Sequence, residues 1–203
     1  MFVYIGGIPG VGKTTLIKEI LKVAWKAGFP LQSMEEQKIL CQLTGKISPA
    51  EYRLLPKAVR SEARERMVTY FYKLDREDLK KIRIRDDHFA YLEEDGTYFI
   101  RPCKPEDEIQ MLAFVVHITS PKNILVRRLR KSSLQQEYNY FDLDKIAIHQ
   151  EVELKTALSQ AEYLKIPIRI FENNEGELLS ISQSVFSFIR ECTFNLKKVR
   201  PQA

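Results

Sequence analysis

The chain has few of the residues that build covalent or metal-bound scaffolds. Only three of its 203 residues are cysteine: Cys41, Cys103 and Cys192. Their wide spacing and odd number argue against a disulfide framework and against a four-cysteine metal site. Idle or buried thiols are expected instead. The three histidines, His88, His117 and His149, show no metal-ligand spacing. No apolar run approaches the ~18 residues of a membrane helix. The first residues lack the order of a secretory signal. A cytoplasmic protein that does not engage a membrane is therefore expected. No repeat and no linker divides the sequence, which places a single domain over residues 1–192.

What is present looks like an ordinary globular composition, 44% hydrophobic and 29% charged. The length suffices for one α/β domain with a real core. The net charge of +5 suits anionic partners. Basic residues are interleaved with acid over most of the length. The exception is Lys197-Lys198-Val199-Arg200, in a tail (193–203) expected to be flexible.

Residues 7–14 read Gly7-Ile8-Pro9-Gly10-Val11-Gly12-Lys13-Thr14. This fits G-x-x-x-x-G-K-[ST], the phosphate-binding P-loop. At average glycine usage, a random chain of this length shows the pattern roughly once in a hundred. Placement sharpens the match, because an apolar run, Phe2 to Ile5, precedes it and a helical pattern follows. Glycines bring backbone N–H groups close to phosphate oxygens. The helix beginning near Gly12 points its partial positive end at the anion. Lys13 would bridge the β- and γ-phosphates of ATP, and the Thr14 hydroxyl would ligate Mg²⁺. Pro9 stiffens the loop, and Thr15 is placed near the α-phosphate.

Further along, apolar residues at 3.6-residue spacing predict a helix from Lys13 to about Ala27. A short strand is expected at Leu31–Met34 and a short helix at Glu36–Leu43. Ser48-Pro49-Ala50-Glu51 is a helix start with an N-cap serine, proline at the first helical position and glutamate three residues after the cap. Pro56 interrupts it, and a charged helix follows from Lys57 to Leu74. The next strand, Leu79 to Arg85, alternates Ile82 and Ile84 with Arg83 and Arg85. Interior parallel strands usually read as continuous apolar runs. One face of this strand must therefore be wet, lie near an edge or meet an acidic partner. Met111–Ile118 is the clearest buried strand. A helix opens at Ser120-Pro121, a polar stretch (131–142) follows, and a long helix runs from Asp144 to Leu164. Ile166–Phe171 is the last strand and precedes a final helix. Alternating strands and helices predict an α/β fold of three layers, a five-stranded parallel sheet flanked by helices. Ligands in such sheets bind beyond the carboxyl ends of the strands. Gly7–Thr14, Asp86–His88, the segment after Ile118 and Asn173–Gly176 should converge there.

A Mg²⁺-ATP site needs a carboxylate near the metal. Asp86 is the first candidate and Asp87 the second, against the alternative of a turn-capping aspartate. His88 is either a substrate contact or a turn cap. Phosphoryl transfer also needs cations, and an arginine in that role is worth ~10³–10⁵ in rate. Arg127 and Arg130 stand three apart, on one helix face, just before a lid-like insert (131–143). A solvated basic helix end is the competing reading.

These motifs together resemble the archaeal type of adenylate kinase and its relatives among the P-loop nucleotide kinases, over nearly all of the chain to about Phe188. The loop Gly6–Thr15 is similar to that family's, and Asp86-Asp87-His88 resembles its Asp-Thr-His. Glu51-Tyr52-Arg53-Leu54-Leu55 resembles the segment whose arginine binds the acceptor's phosphate. Ser120–Leu125 with Arg127 and Arg130 resembles the helix leading into the lid. Phe171–Gly176 resembles the adenine-contacting loop, which implies a nucleotide contact for Asn173. The resemblance implies a five-stranded parallel sheet, ATP, Mg²⁺ and transfer to AMP. It also implies acceptor contacts for Arg53, Asp87 and His88. Residues Leu134–Tyr140 carry none of the further arginines that the family has there. Slow or lost AMP phosphorylation is the expected consequence. Residues 31–47 lack a clear match to the AMP-facing segment.

Three functions remain open on the sequence: a kinase for nucleoside monophosphates, an ATPase or kinase acting on RNA or a ribosome-assembly or protein partner, and a regulatory nucleotide-binding module.

Overall fold

In a computed structural model, the chain is described at residues 1–48, 51–52, 54–77, 81–86, 88–92, 96–100, 111–130, 141–173 and 176–199. Strand β1 (Phe2–Gly6) is buried at every position. Its uninterrupted apolar run suits a strand covered on both faces. Around it, β2 (Leu31–Met34), β3 (Ile82–Asp86), β6 (Met111–Ile118) and β7 (Ile168–Glu172) complete a five-stranded sheet in the order β2-β3-β1-β6-β7. Every adjacent pair in it is parallel. A short antiparallel hairpin, β4 (Ala90–Leu92) with β5 (Tyr98–Ile100), stands apart from this sheet. The sequence reading did not anticipate it.

Helices α1 (Lys13–Lys26) and α6 (Leu178–Val199) cover one face. Leu16, Ile17 and Ile20 of α1 meet Val185 and Ile189 of α6 over Val3, Ile5, Ile84 and Val115. The opposite face packs Phe2, Tyr4, Phe114 and Val116 against α2 (Glu36–Thr44), α3 (Lys57–Glu77) and α5 (Leu143–Leu164). Helix α4 (Pro121–Arg130) joins a smaller cluster of Ile8, Ile124 and Ile146. The three-layer α/β fold expected from the sequence is the one found. No helix among the described residues is long and apolar enough to cross a membrane.

Both arginines of β3 are buried, and Arg85 meets the requirement set by their alternation. Arg85 is 3% exposed, and its Nε donates to Glu36 Oε1 at 2.6 Å. Its guanidinium also lies within 6 Å of the Phe2, Tyr4 and Phe71 rings, closest to Phe71 at 4.6 Å. The acidic partner therefore exists, and it opens the helix that follows the edge strand β2. A buried guanidinium without such a partner costs several kcal/mol.

Four boundaries differ from expectation. The third strand begins at Ile82, and Leu79 lies outside the described residues. Helix α3 runs on to Glu77 rather than stopping at Leu74. The last strand begins at Ile168, because Lys165 turns left-handed (φ 52°) to end α5 and the Ile166 N–H bonds to Ala161 O. Helix α6 continues to Val199, so residues 193–199 are helical where a separate flexible tail was expected. Its buried stripe extends through Ile189, Cys192 and Thr193. At Ser48 the expected cap forms: the Glu51 N–H donates to Ser48 Oγ at 3.3 Å. Pro49 and Ala50 lie outside the described residues, as does most of the lid-like insert (131–140).

Candidate active site

Strand register sets the site. Ile5 pairs with Asp86 across β1 and β3, and Gly6 pairs with Val116 across β1 and β6. The loop leaving β1 thus opens beside Asp86 on one side and His117 on the other. Two of its glycines are required by shape. Gly7 has φ 141°, and a Cβ there would collide with the His117 carbonyl. Gly12 has φ 105° and ψ 18° and caps α1 without any side-chain bond. The first amides of α1 are left to be satisfied by an anion or water.

Lys13 is 8% exposed. Its Nζ donates to Gly7 O at 2.5 Å and stands 3.9 Å from Asp86 Oδ1. The Thr14 hydroxyl faces Asp86 Oδ2 at 3.5 Å. Thr15 is exposed on the same turn. Among the described residues, no cluster of three His, Cys, Asp or Glu could hold a metal by itself. Thr14 and Asp86 supply two hard oxygens, which fits Mg²⁺ because that ion takes few protein ligands and shares the rest with phosphate and water.

Helix α4 grips the loop from outside. Arg127 Nη1 donates to Val11 O at 2.6 Å. Arg128 Nε and Nη2 both donate to Pro9 O, at 3.1 and 2.7 Å. Arg128 is fully buried. The sequence reading passed it over in favour of Arg127 and Arg130. The signal was available, since Arg128 lies four residues after the buried Ile124 and so on the core face of α4. A Cβ on Gly12 would meet Arg127 Nη1 at 3.3 Å and Asn173 Nδ2 at 3.5 Å. Arg127 and Asn173 are therefore brought together beside the loop. The side chain of Arg130, and all of Arg53 and Asp87, lie outside the described residues. Val11 is buried, and Pro9 and Gly10 are partly exposed at the loop's tip.

Two residues of α5 were not anticipated. Glu153 is 1% exposed, and its carboxylate accepts the Gly7 N–H at 2.8 Å and the Ala90 N–H at 2.6 Å. It thereby ties the phosphate loop to the start of the hairpin. Its Oε1 also lies 4.0 Å from His88 Nδ1. Burial raises the pKa of this carboxyl, against the lowering effect of its backbone donors and Lys13. His149, one turn earlier on α5, has Nε2 3.1 Å from Ala90 O. The pair stands at i, i+4 on the buried face. In sequence it is indistinguishable from any polar interruption of an amphipathic helix.

His117 lies fully buried on β6, and neither ring nitrogen has a hydrogen-bond partner among the described residues. Burial, with the charges of Lys13 and Arg127, pushes its pKa down to about 4, although the nearby Phe171 and Val11 backbone offsets part of this. Burial also pushes His149 down to about 4. Both rings are neutral in the folded protein, while their ordinary value is 6.5. Between those values the unfolded chain binds more protons, so stability is lost as pH falls from 6.5 towards 4. Each ring contributes up to about 3 kcal/mol. Glu153 acts in the opposite sense because its pKa is raised. Urea midpoints should therefore drop through this window, and His149→Asn should flatten the drop. A midpoint unchanged across the window would contradict the buried neutral state.

No protein-family model matches the chain, and no curated protein sequence does either. Solved structures do. The shikimate kinase of Acinetobacter baumannii, in complex with shikimate, superposes with a TM-score of 0.56 at 15% identity, covering 94% of this chain and 93% of that one. The shikimate kinase of Bacteroides thetaiotaomicron gives 0.55 at 15% identity, covering 94% and 98%. The fold is that of the P-loop kinases. This likeness is to the wider fold and does not single out the adenylate kinases.

Proposed function

We propose that this chain is an ATP-dependent phosphotransferase acting on a small molecule, with a nucleoside monophosphate, AMP first, as acceptor. The observation that carries this reading is the convergence of Lys13, Thr14 and Asp86 at the mouth of a loop shaped by Gly7 and Gly12. Loop amides and Lys13 would hold the β- and γ-phosphates. Lys13 would turn from Gly7 O to the phosphates, since an ammonium gains more from an oxyanion than from a carbonyl. Thr14 and Asp86 would hold Mg²⁺, which supplies charge neutralisation between the same phosphates. Asn173 flanks the face of Gly12 and suits the nucleoside end of ATP. Arg127, on the same face, and Arg130 would face the transferring group. Arg53, Asp87 and His88 remain the acceptor candidates that the family resemblance suggests. One structural neighbour holds shikimate, which supports a small-molecule acceptor.

The test combines the protein, ATP and Mg²⁺ with AMP, GMP, CMP or UMP and measures diphosphate formation. The reading expects diphosphate from at least one of them. Steady phosphate release stimulated by RNA, with no diphosphate, would instead favour an ATPase acting on a macromolecule.

A further inference from the structure

Helix α1 buries one stripe and leaves the opposite one bare. Lys18, Lys22, Trp25 and Lys26, at i, i+4, i+7 and i+8, share its outer face, and all four are exposed. Trp25 is the chain's single tryptophan, and it is 83% exposed. Tryptophan is highly buried on average. The helix is docked through Ile17, Ile20 and Ala24, so its register, rather than loose packing, turns Trp25 outwards. Lys22 pairs with Glu19 at 2.6 Å. Lys18 and Lys26 make no ion pair among the described residues.

This face leads away from the phosphate loop, towards further basic groups. Helix α1 starts at the loop and runs back along the sheet, which puts Trp25 about 18 Å from Lys13 along the helix axis. The sheet is parallel throughout, so α6, which follows β7, runs back the same way beside α1 and ends at the same rim. Its last turns carry Lys197 and Lys198, and Phe194 there is 60% exposed. Lys81, at the start of β3, is exposed on this rim. Its carbonyl accepts the Met1 ammonium at 3.2 Å, and the adjacent Ile82 N–H bonds to Pro30 O, where the turn after α1 ends. The acids of the two helices are already matched, Glu19 by Lys22 and Glu191 by Arg169 at 3.8 Å. Neither helix holds another carboxylate. The helix dipole accounts for a lysine in a last turn. It accounts for neither Lys18 and Lys22 nor the bare indole.

We propose that the outer face of α1, with the end of α6, is a docking surface for single-stranded nucleic acid, on which Trp25 stacks a base and Lys18, Lys22 and Lys26 hold the flanking phosphates. An exposed indole among excess cations matches a polyanion that carries flat rings. A duplex keeps its bases stacked inside and offers Trp25 no ring face. An anionic membrane fits less well, because interfacial binding needs a broad apolar helix face, and that of α1 is buried in the core. The surface leads to the end of the sheet opposite the phosphate loop, so it stands independently of the phosphotransferase reading.

The test titrates the full chain with a short single-stranded oligouridylate, with and without Mg²⁺-ATP. Trp25 emission is followed for the unlabelled strand and anisotropy for a fluorescein-labelled one. Binding should quench Trp25, survive saturating Mg²⁺-ATP and weaken steeply with salt. Trp25→Ala should weaken binding about tenfold, and Trp25→Phe should restore most of that loss. Lys18→Gln combined with Lys26→Gln should flatten the slope of log affinity against log salt by about 1.4, or ~0.7 per phosphate contact. All these positions are exposed, so thermal midpoints should hold. No binding by the parent, equal binding by Trp25→Ala, or displacement of the strand by Mg²⁺-ATP overturns the proposal. Preference for the matching duplex or for phosphatidylserine vesicles overturns it as well, as does a dimer in sedimentation that Trp25→Ala dissolves.

Discussion

Lys13→Ala is expected to lower phosphoryl transfer by about 10³-fold or more while leaving the fold intact. Removing one preorganised donor from developing charge typically costs 10²–10³, and Lys13 brings a full charge in a largely buried setting. Among the described residues its ammonium meets the Gly7 carbonyl and the Asp86 carboxylate, both at the site, and the side chain lies outside the hydrophobic clusters of the core. Initial rates of ADP formation, with far-ultraviolet circular dichroism as the control for folding, measure the effect. A rate within tenfold of the unmodified protein would remove the phosphate loop from the chemistry.

The second large effect is expected at Glu153. Its carboxylate satisfies two buried N–H donors on separate segments. Glu153→Ala leaves both without an acceptor, at about 1–3 kcal/mol each. Glu153→Gln can accept at one position only and turns its own N–H₂ towards the other donor, so about 1–3 kcal/mol should be lost. Because one of those donors belongs to Gly7, the Gln variant should also raise the KM for ATP more than it lowers kcat. Urea unfolding and initial-rate kinetics check both effects. A Gln variant as stable as the parent would show that Glu153 does not hold these donors together.

The phosphate loop was legible in the sequence because its demands are local. Gly7 and Gly12 need backbone angles that other residues resist, and Lys13-Thr14 follow at fixed spacing. The strand alternation around Arg83 and Arg85 was equally legible as a demand, although only the fold could supply Glu36 as the answer. Arg128 was missed although its i+4 relation to Ile124 marked it as buried. The neighbouring Arg127 and Arg130 carry the same charge, and charge alone does not reveal which face is covered. Glu153 and His149 were illegible for another reason. Their partners, Gly7 and Ala90, are backbone groups distant along the chain, and no side-chain pattern records a backbone contact. The β4–β5 hairpin escaped because its strands are only three residues long. The adenylate kinase resemblance rested on the loop, Asp86–His88, Glu51–Leu55, the helix from Ser120 to Arg130 and Phe171–Gly176, and the solved structures support the fold it implied without singling out its acceptor.

The central claim is that Gly7–Thr14 binds the triphosphate of ATP together with Mg²⁺. Calorimetric titration of ATP into the unmodified chain and into Lys13→Ala, each with and without Mg²⁺, tests it most directly. Binding that depends on Lys13 and tightens with Mg²⁺ is the predicted result. Binding that is absent from the unmodified chain, or equally tight in both proteins, would contradict it.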